Sequence, residues 1–194
     1  WMNKSVDNWL KTAEDYIAKK VYNKEYYEIP PFAYEFALKL SLSFGNKDLA
    51  KKALESLHKN IISILGLGER RWYLEFFEVE SRYINSLDNL DEIKKESVEK
   101  IKEIINQLES EFEKSVDKQK SNHFIRSHLS ILLDYKTENE YDLNKKIAES
   151  YITEAEAREE PLVKSSFYND AVKKYKDMQN HYPDKKQEIE KRIK

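Results

Sequence analysis

Apolar residues recur along most of this chain at intervals of three and four positions, the spacing of one face of an α-helix. The first such stripe runs from Val6 through Leu10 to Ile17. Polar and apolar residues alternate nowhere for more than a few positions, so the pattern predicts an all-α protein without strands. The predicted helices span residues 6–21, 30–44, 47–65, 69–87, 91–118, 122–135, 141–158 and 162–179, and a last helix begins near residue 185.

Proline and glycine residues mark the expected ends of several helices. Proline is favoured at the first position of a helix, and Pro30, Pro161 and Pro183 stand where helices are predicted to begin. Gly45 follows a predicted helix and is typical of a helix stop. The connections between successive helices are short, which makes neighbouring helices antiparallel and predicts stacked helical hairpins.

Two helices bear on how these hairpins are arranged. The helix at residues 30–44 has apolar residues on several sides, and such a helix is typically central and buried. The helix at residues 91–118 is the longest of a set with varied lengths. Varied lengths favour an irregular, right-handed, tetratricopeptide-like solenoid of stacked antiparallel hairpins, with a closed helical bundle as the alternative.

The length of the chain bounds its domain organisation. We expect a single all-helical domain over residues 1–194, with a weak sub-boundary near residues 119–122. Residues 188–194 have the pattern of a helix that continues up to the last residue of the sequence. The sequence therefore also fits the N-terminal part of a longer protein.

Two stretches of the chain resemble tetratricopeptide-type helix pairs, in which small residues stand where two helices cross and aromatic residues stand beside them. They are residues 37–54, and residues 155–158 followed by Phe167, Ala171 and Tyr175. The chain has no strict repeat of the family's length, and the sequence between the two stretches departs from the pattern. The layout also resembles the helical N-terminal regions of large prokaryotic proteins that carry domains of unknown function. This resemblance implies a scaffold or partner-binding role and assigns no chemistry.

Composition and charge exclude several classes of protein. The 194 residues include no cysteine, which excludes a disulfide scaffold, an iron–sulfur site and a thiol nucleophile. The formal net charge of −2 argues against coating nucleic acid or an anionic membrane through bulk electrostatics. No apolar run approaches the roughly 18 residues of a membrane-spanning helix, and the N-terminus has no secretory pattern. We therefore expect a cytoplasmic protein without membrane contact.

Motifs that carry catalysis are missing from the sequence. It contains no phosphate-binding loop, no His-Glu-x-x-His and no Gly-x-Ser-x-Gly. Glu55 and His58 have the Glu-x-x-His spacing of carboxylate-bridged di-iron bundles, but those bundles need the motif twice and two further glutamates. We therefore expect no catalytic residue, no bound metal and no cofactor.

One carboxylate is expected to be buried. On a helical projection of residues 69–87, Glu80 lies in the middle of an aromatic and aliphatic face. A lone carboxylate there is costly to ionise, so Glu80 should be paired, protonated or facing a cleft. If the two adjacent helices are antiparallel, His58 lies within about one helical turn of Glu80. His128 lies on a similar apolar face of the helix at residues 122–135.

A buried contact between Glu80 and a histidine or tyrosine has two interpretations. It is either a satisfied polar contact inside an apolar stack or a ligand-binding or proton-handling site, because perturbed acids concentrate at such sites. We favour the structural interpretation, since ion pairs that only support a fold perturb acids as well.

Two groups of residues are candidates for contacting a partner. Tyr26 and Tyr27 lie in a predicted loop next to two prolines, where exposed aromatic side chains can grip a peptide or a partner helix. The predicted helix at residues 69–87 is the most aromatic one, and its first turn contains the other candidates, Arg71, Trp72 and Tyr73.

The sequence favours a non-enzymatic helical-repeat module that binds protein, as an adaptor, a scaffold or a sensor region. The partner would be another protein or a further domain of the same chain. The first alternative is a nucleic-acid-associated or defence-type regulatory protein in which Arg70, Arg71, Arg126 and lysine-rich helix ends contact phosphates. The third hypothesis is a helical-bundle metalloprotein around Glu55, His58 and Glu80.

Overall fold

A computed structural model describes residues 2–18, 29–65, 70–114, 118–137 and 139–193 of the chain. Within these ranges the protein consists of helices and their connections, with no strand, which confirms the all-α prediction. The helices are α1 (Met2–Ala18), α2 (Ile29–Ser43), α3 (Lys47–Leu65), α4 (Arg70–Ile84), α5 (Asp91–Lys114), α6 (Lys118–Tyr135), α7 (Glu140–Glu156), α8 (Pro161–His181) and α9 (Lys186–Ile193), with a 3-10 turn at Pro183–Lys185.

Local sequence explains where several of these helices begin and end. Gly45 follows α2 with a φ of +67°, a left-handed conformation that favours glycine, and its N–H donates to the Leu42 carbonyl at 2.9 Å. Asn139 caps α7 by accepting hydrogen bonds from two backbone N–H groups of the first turn. Pro161 occupies the first turn of α8, where a backbone N–H has no acceptor within the helix, so a residue without an N–H costs no hydrogen bond there. The predicted stop at Gly45 and start at Pro161 are thus confirmed.

The chain divides into two compact units, Trp1–Ser97 and Val98–Lys194, called here the first and the second unit. The division falls within α5, whereas the sequence places a weak sub-boundary near residues 119–122. In the first unit each of α1 to α4 contacts its neighbour in sequence, and α1 also contacts α3 while α2 contacts α4. In the second unit α6 contacts α7, α7 contacts α8, and α8 contacts α9.

Each unit has a core of buried apolar side chains. In the first unit α1, α2 and α3 contribute small residues, such as Ala13 and Ala37, that let these helices approach one another closely. In the second unit Ala148, Tyr175, Met178 and Ile189 form one buried cluster. Among the described residues no helix is both long and apolar enough to cross a membrane.

The helix α2 is buried on only part of its circumference. Tyr34, Ala37 and Leu38 are fully buried. Phe32 and Phe36, one turn apart on another face, are 57% and 40% exposed. The expectation that α2 is buried on most sides is therefore wrong, because its neighbours α1, α3 and α4 leave this face open to solvent.

Candidate functional site

Three polar side chains meet in the interior of the first unit, where α3, α4 and α5 each contribute one. Glu80 and Ser97 are fully buried, and His58 is 7% exposed. His58 Nδ1 lies 3.0 Å from Glu80 Oε2. The Ser97 hydroxyl donates to the other Glu80 oxygen and lies 3.2 Å from His58 Nδ1. The structure thus places the predicted residues His58 and Glu80 in direct contact.

A second carboxylate faces the other side of the imidazole ring. His58 Nε2 lies 3.1 Å from Glu96 Oε2, and the Glu96 side chain is about half exposed. Both ring nitrogens therefore face carboxylate oxygens, an arrangement that is satisfied when both carry hydrogen and donate. We call His58, Glu80, Glu96 and Ser97 the histidine bridge.

Electrostatics favours the charged imidazole in the histidine bridge. Burial lowers the pKa of His58, but the hydrogen bonds and charges of Glu80 and Glu96 raise it by more. The net effect holds the pKa of His58 above its usual range. A positively charged His58 then joins carboxylates from two helices, and Ser97 satisfies the remaining Glu80 oxygen.

This charge state gives a testable pH dependence. Because the folded-state pKa of His58 is raised, its stabilisation is fully present below the unfolded-state value of about 6.5 and is lost as pH rises through the folded-state value. We expect wild type to lose stability relative to the His58→Gln variant as pH rises from about 6.5 through the raised folded-state pKa of His58. Urea denaturation across this range measures the difference, and parallel curves for the two proteins would contradict the charged state.

The histidine bridge has neither the geometry of a nucleophile nor that of a metal site. A serine nucleophile donates its proton to a base such as an imidazole, but the Ser97 hydroxyl donates to the Glu80 carboxylate. The Ser97 side chain is also fully buried, so no substrate in solvent can reach it. Both nitrogens of His58 are engaged with carboxylates. Glu55 is exposed and lies 3.9 Å from Lys51, away from this cluster. Within the described ranges no group of three or more potential ligands is arranged to hold a metal ion.

The remaining predicted residues lie elsewhere. His128 is fully buried in α6, where its Nδ1 donates to the Phe124 carbonyl at 2.6 Å, one turn back in the same helix. Tyr26 and Tyr27 lie outside the described residues. The other three partner-binding candidates are Arg71, Trp72 and Tyr73, in the first turn of α4. Their side chains also lie outside the described part of the structure.

Three aromatic side chains lie together on the first unit: the exposed Phe32 and Phe36 of α2 and the partly buried Trp9 of α1. The Trp9 ring centroid is 4.8 Å from that of Phe36 and 6.3 Å from that of Phe32. The two phenylalanine centroids are 6.3 Å apart. We call these three residues the aromatic patch. The sequence predicted that the helix at residues 30–44 is buried, and its excess of apolar residues was the one indication of a second apolar face.

A buried ionic cluster occupies the second unit, where Arg126 and Arg158 share the carboxylate of Glu154. Arg126 forms an ion pair with one Glu154 oxygen, and Arg158 Nη2 lies 2.6 Å from the other. Glu154 is 2% exposed and Arg126 is 8% exposed. The Arg126 guanidinium also lies over the Tyr151 ring, 4.4 Å from its centroid. We call Arg126, Glu154 and Arg158 the arginine clamp.

The arginine clamp corrects one expectation of the nucleic-acid hypothesis. Arg126 was expected to contact phosphates, but it is buried, and its charge is engaged by Glu154. A guanidinium in this setting would have to leave its carboxylate before it could bind a phosphate, at the cost of an uncompensated buried charge. The expectation is therefore wrong for Arg126.

No protein-family model, no curated protein and no solved structure matches the chain. Function is therefore inferred from the geometry of the described residues.

Proposed function

We propose that the chain is a non-enzymatic protein-binding module whose docking surface is the aromatic patch. The observation that carries this proposal is the exposure of Phe32 and Phe36, which together with Trp9 present a contiguous apolar surface. Aromatic residues are enriched at the centres of protein interfaces and supply most of the energy there. Contiguous apolar surface on a folded protein commonly marks an interaction site.

The proposed occupant is an amphipathic helix of a partner protein. Phe32 and Phe36 are spaced by one helical turn along α2, so they suit apolar anchors at the same spacing on a helix lying beside them. The charged groups of α2 next to the patch are already paired, because Glu35 lies 3.0 Å from Lys39 and 3.1 Å from Arg82. Apolar contact, rather than attraction between opposite charges, would then dominate this association.

We also propose that the helices stack as hairpins in an irregular, right-handed, tetratricopeptide-like solenoid. In the first unit α1 and α2 form one hairpin and α3 and α4 the next. The contacts of α1 with α3 and of α2 with α4 are those expected when one hairpin stacks on another, and they support this arrangement.

The geometry gives little support to the other two hypotheses. Arg126 is engaged by Glu154, which removes one of the cations invoked for nucleic-acid binding. The metalloprotein hypothesis required Glu55, His58 and Glu80 to converge, yet Glu55 is exposed on α3 and both nitrogens of His58 face carboxylates. The two hypotheses therefore rank below protein binding.

Truncating the aromatic patch tests the proposed function. We expect the Phe32→Ala, Phe36→Ala double variant to keep its fold, because both side chains are largely exposed. Its affinity for the partner should fall by at least about 30-fold, the effect of losing an interface hot spot. Complexes captured from the source cells and identified by native mass spectrometry give the partner, and titration of that partner gives the affinity.

The chain offers a matched control for this experiment. Phe44 is 60% exposed and lies in the turn after α2, so Phe44→Ala removes one aromatic side chain about as exposed as Phe32 at another place. A partner retained by Phe44→Ala and lost by the double variant supports the proposal. Equal capture by all three proteins, or equal loss from both variants, would refute a docking role for the patch.

A further inference from the structure

The short helix α9 covers an apolar surface of the second unit. It has eight residues, and Ile189 on it is 1% exposed. Ile189 packs with Ala148 of α7 and with Tyr175 and Met178 of α8. We call the surface that Ala148, Tyr175 and Met178 present to Ile189 the α7–α8 groove. The groove therefore already holds one amphipathic helix, which shows what kind of segment fits it.

The rim of the α7–α8 groove carries charges that complement those of α9. Lys145 Nζ lies 2.9 Å from Glu188 Oε1, and Glu149 Oε1 lies 3.5 Å from Arg192 Nη1. Lys145 and Glu149 are one turn apart on α7, and Glu188 and Arg192 are one turn apart on α9. Both pairs form because α9 runs in the same direction as α7. A helix that ran the opposite way would bring like charges together, so the rim favours one direction.

The contacts that hold α9 in the groove are few. Six of its eight residues are exposed, Ile193 is half-buried, and Ile189 is the one buried residue of the helix. A helix of two turns is marginal by itself, and ion pairs between exposed side chains contribute little. Tyr182, which precedes α9, packs on Tyr141 of α7 with the ring centroids 5.3 Å apart. We therefore expect α9 to open locally while the end of α8 stays in place.

We propose that the α7–α8 groove is a binding site for an amphipathic helix of a partner protein, and that α9 occupies it as an internal competitor. The partner helix carries an aliphatic residue for the position of Ile189 and a second one a turn later, as Ile193 follows in α9. An acidic residue faces Lys145, and a basic residue one turn further faces Glu149. This is binding of a helix in a groove, with apolar anchors for affinity and a charged rim for direction.

The tether of α9 decides between a partner protein and a second copy of this chain as the occupant. The α9 of a second copy makes the same contacts as the tethered α9 but lacks the tether, so it cannot compete below about millimolar concentration. A partner helix of more than two turns is more helical before it binds and loses less conformational freedom on binding. A partner helix can therefore displace α9 where a second copy cannot.

This site is separate from the aromatic patch, and the proposal does not rest on the function proposed above. The two proposals can therefore fail independently. The Phe32→Ala, Phe36→Ala double variant should retain the properties of the α7–α8 groove, and variants of α9 should leave binding at the aromatic patch unchanged.

A peptide of residues 183–194 tests whether the groove accepts a separate helix. In the full chain Ile189→Asp places a charge in the apolar groove and should release α9. We expect the peptide to shift the NMR signals of the Ala148 and Met178 methyl groups in this variant, with an affinity at least about tenfold higher than for wild type, where α9 fills the groove. Equal affinity for the two proteins, or no shift in the variant, would overturn the proposal.

Two controls make this result specific. Glu190→Ala changes an exposed residue of α9, so this variant should bind the peptide as weakly as wild type does. A peptide with Glu188→Arg and Arg192→Glu reverses the charges that face Lys145 and Glu149, and it should bind Ile189→Asp at least about fivefold more weakly than the original peptide. Equal binding of the two peptides would show that the rim does not recognise charge and would overturn the proposed partner pattern.

Two measurements on wild type do not depend on how well a variant folds. In hydrogen exchange, amides in the second turn of α9 should have protection factors at least about tenfold lower than those of Ala148 and Tyr175. Equal protection would mean that α9 opens only when the second unit unfolds, which would overturn the proposal. A wild-type dimer well below millimolar concentration that Ile189→Asp abolishes would identify α9 of a second copy as the occupant and would overturn the partner assignment.

Discussion

Replacing Glu80 with alanine should lower the free energy of unfolding by about 3–5 kcal/mol. The substitution leaves His58 and Ser97, both buried, without the carboxylate that accepts from them. A buried imidazole N–H and a buried hydroxyl then have no acceptor, and the charge of His58 keeps only the half-exposed Glu96 as its partner, so the loss is large. Urea denaturation followed by circular dichroism at neutral pH measures the loss, and a change below about 1 kcal/mol would refute a structural role for the histidine bridge.

Two further variants separate the possible roles of Glu80. Glu96→Ala removes a carboxylate from the same imidazole, but that carboxylate is about half exposed, so we expect a much smaller loss. Glu80→Gln keeps the shape of the side chain and removes its charge, and it should also weaken the pH dependence contributed by His58. If Glu80→Gln instead folds with wild-type stability and loses a binding partner, the bridge is a ligand-binding group and the structural interpretation fails.

The helices of this chain were largely predictable because their determinants are local. The predicted helix at residues 47–65 and the observed α3 have the same bounds, and the start of α5 at Asp91 was also predicted. Apolar periodicity and the residues at helix ends act over a few positions and are visible in one sequence. The end of α4 was placed three residues too late, at residue 87 instead of Ile84, because apolar Leu87 continues the stripe beyond the helix.

The histidine bridge was predictable in part. Burial of Glu80 follows from its place on an apolar helix face, and its proximity to His58 follows from an antiparallel connection between consecutive helices. Ser97 and Glu96 were not predicted, because their contact depends on how α5 is set against α3 and α4. The connection between α4 and α5 passes through Asn89 with a φ of +59°, and such turn geometry is not fixed by periodicity.

The aromatic patch illustrates a second limit of sequence patterns. A helix that is apolar on most sides indicates that it has neighbours, but the pattern does not say which side they leave uncovered. In α2 the small residues Ala33 and Ala37 are buried, but so is the large Tyr34, whereas Phe32 and Phe36 face solvent. Neither polarity nor size therefore separates the packed face of α2 from the exposed one, because the positions of the neighbouring helices decide which face is covered.

The arginine clamp should be as sensitive to substitution as the histidine bridge. Replacing Glu154 with alanine leaves Arg126 buried and without the carboxylate that neutralises it, and we expect a loss of about 3–5 kcal/mol in the free energy of unfolding. Arg158→Ala is the matched control, because it removes one cation whose side chain is 25% exposed and keeps the pair of Glu154 with Arg126. That variant should lose about 1 kcal/mol or less.

A double variant shows whether the charge of Arg126 or the space it fills causes the loss. In Arg126→Met, Glu154→Leu both buried charges are replaced by apolar side chains, and such replacements are often neutral or stabilising. We therefore expect the double variant to recover most of the stability that Glu154→Ala loses, as measured by urea denaturation under the same conditions. If the double variant is as unstable as Glu154→Ala, the buried charge alone does not explain the loss. The contacts that Arg126 makes would then matter as well: its Nη1 donates to the Ser150 carbonyl at 3.4 Å, and its guanidinium lies over the Tyr151 ring.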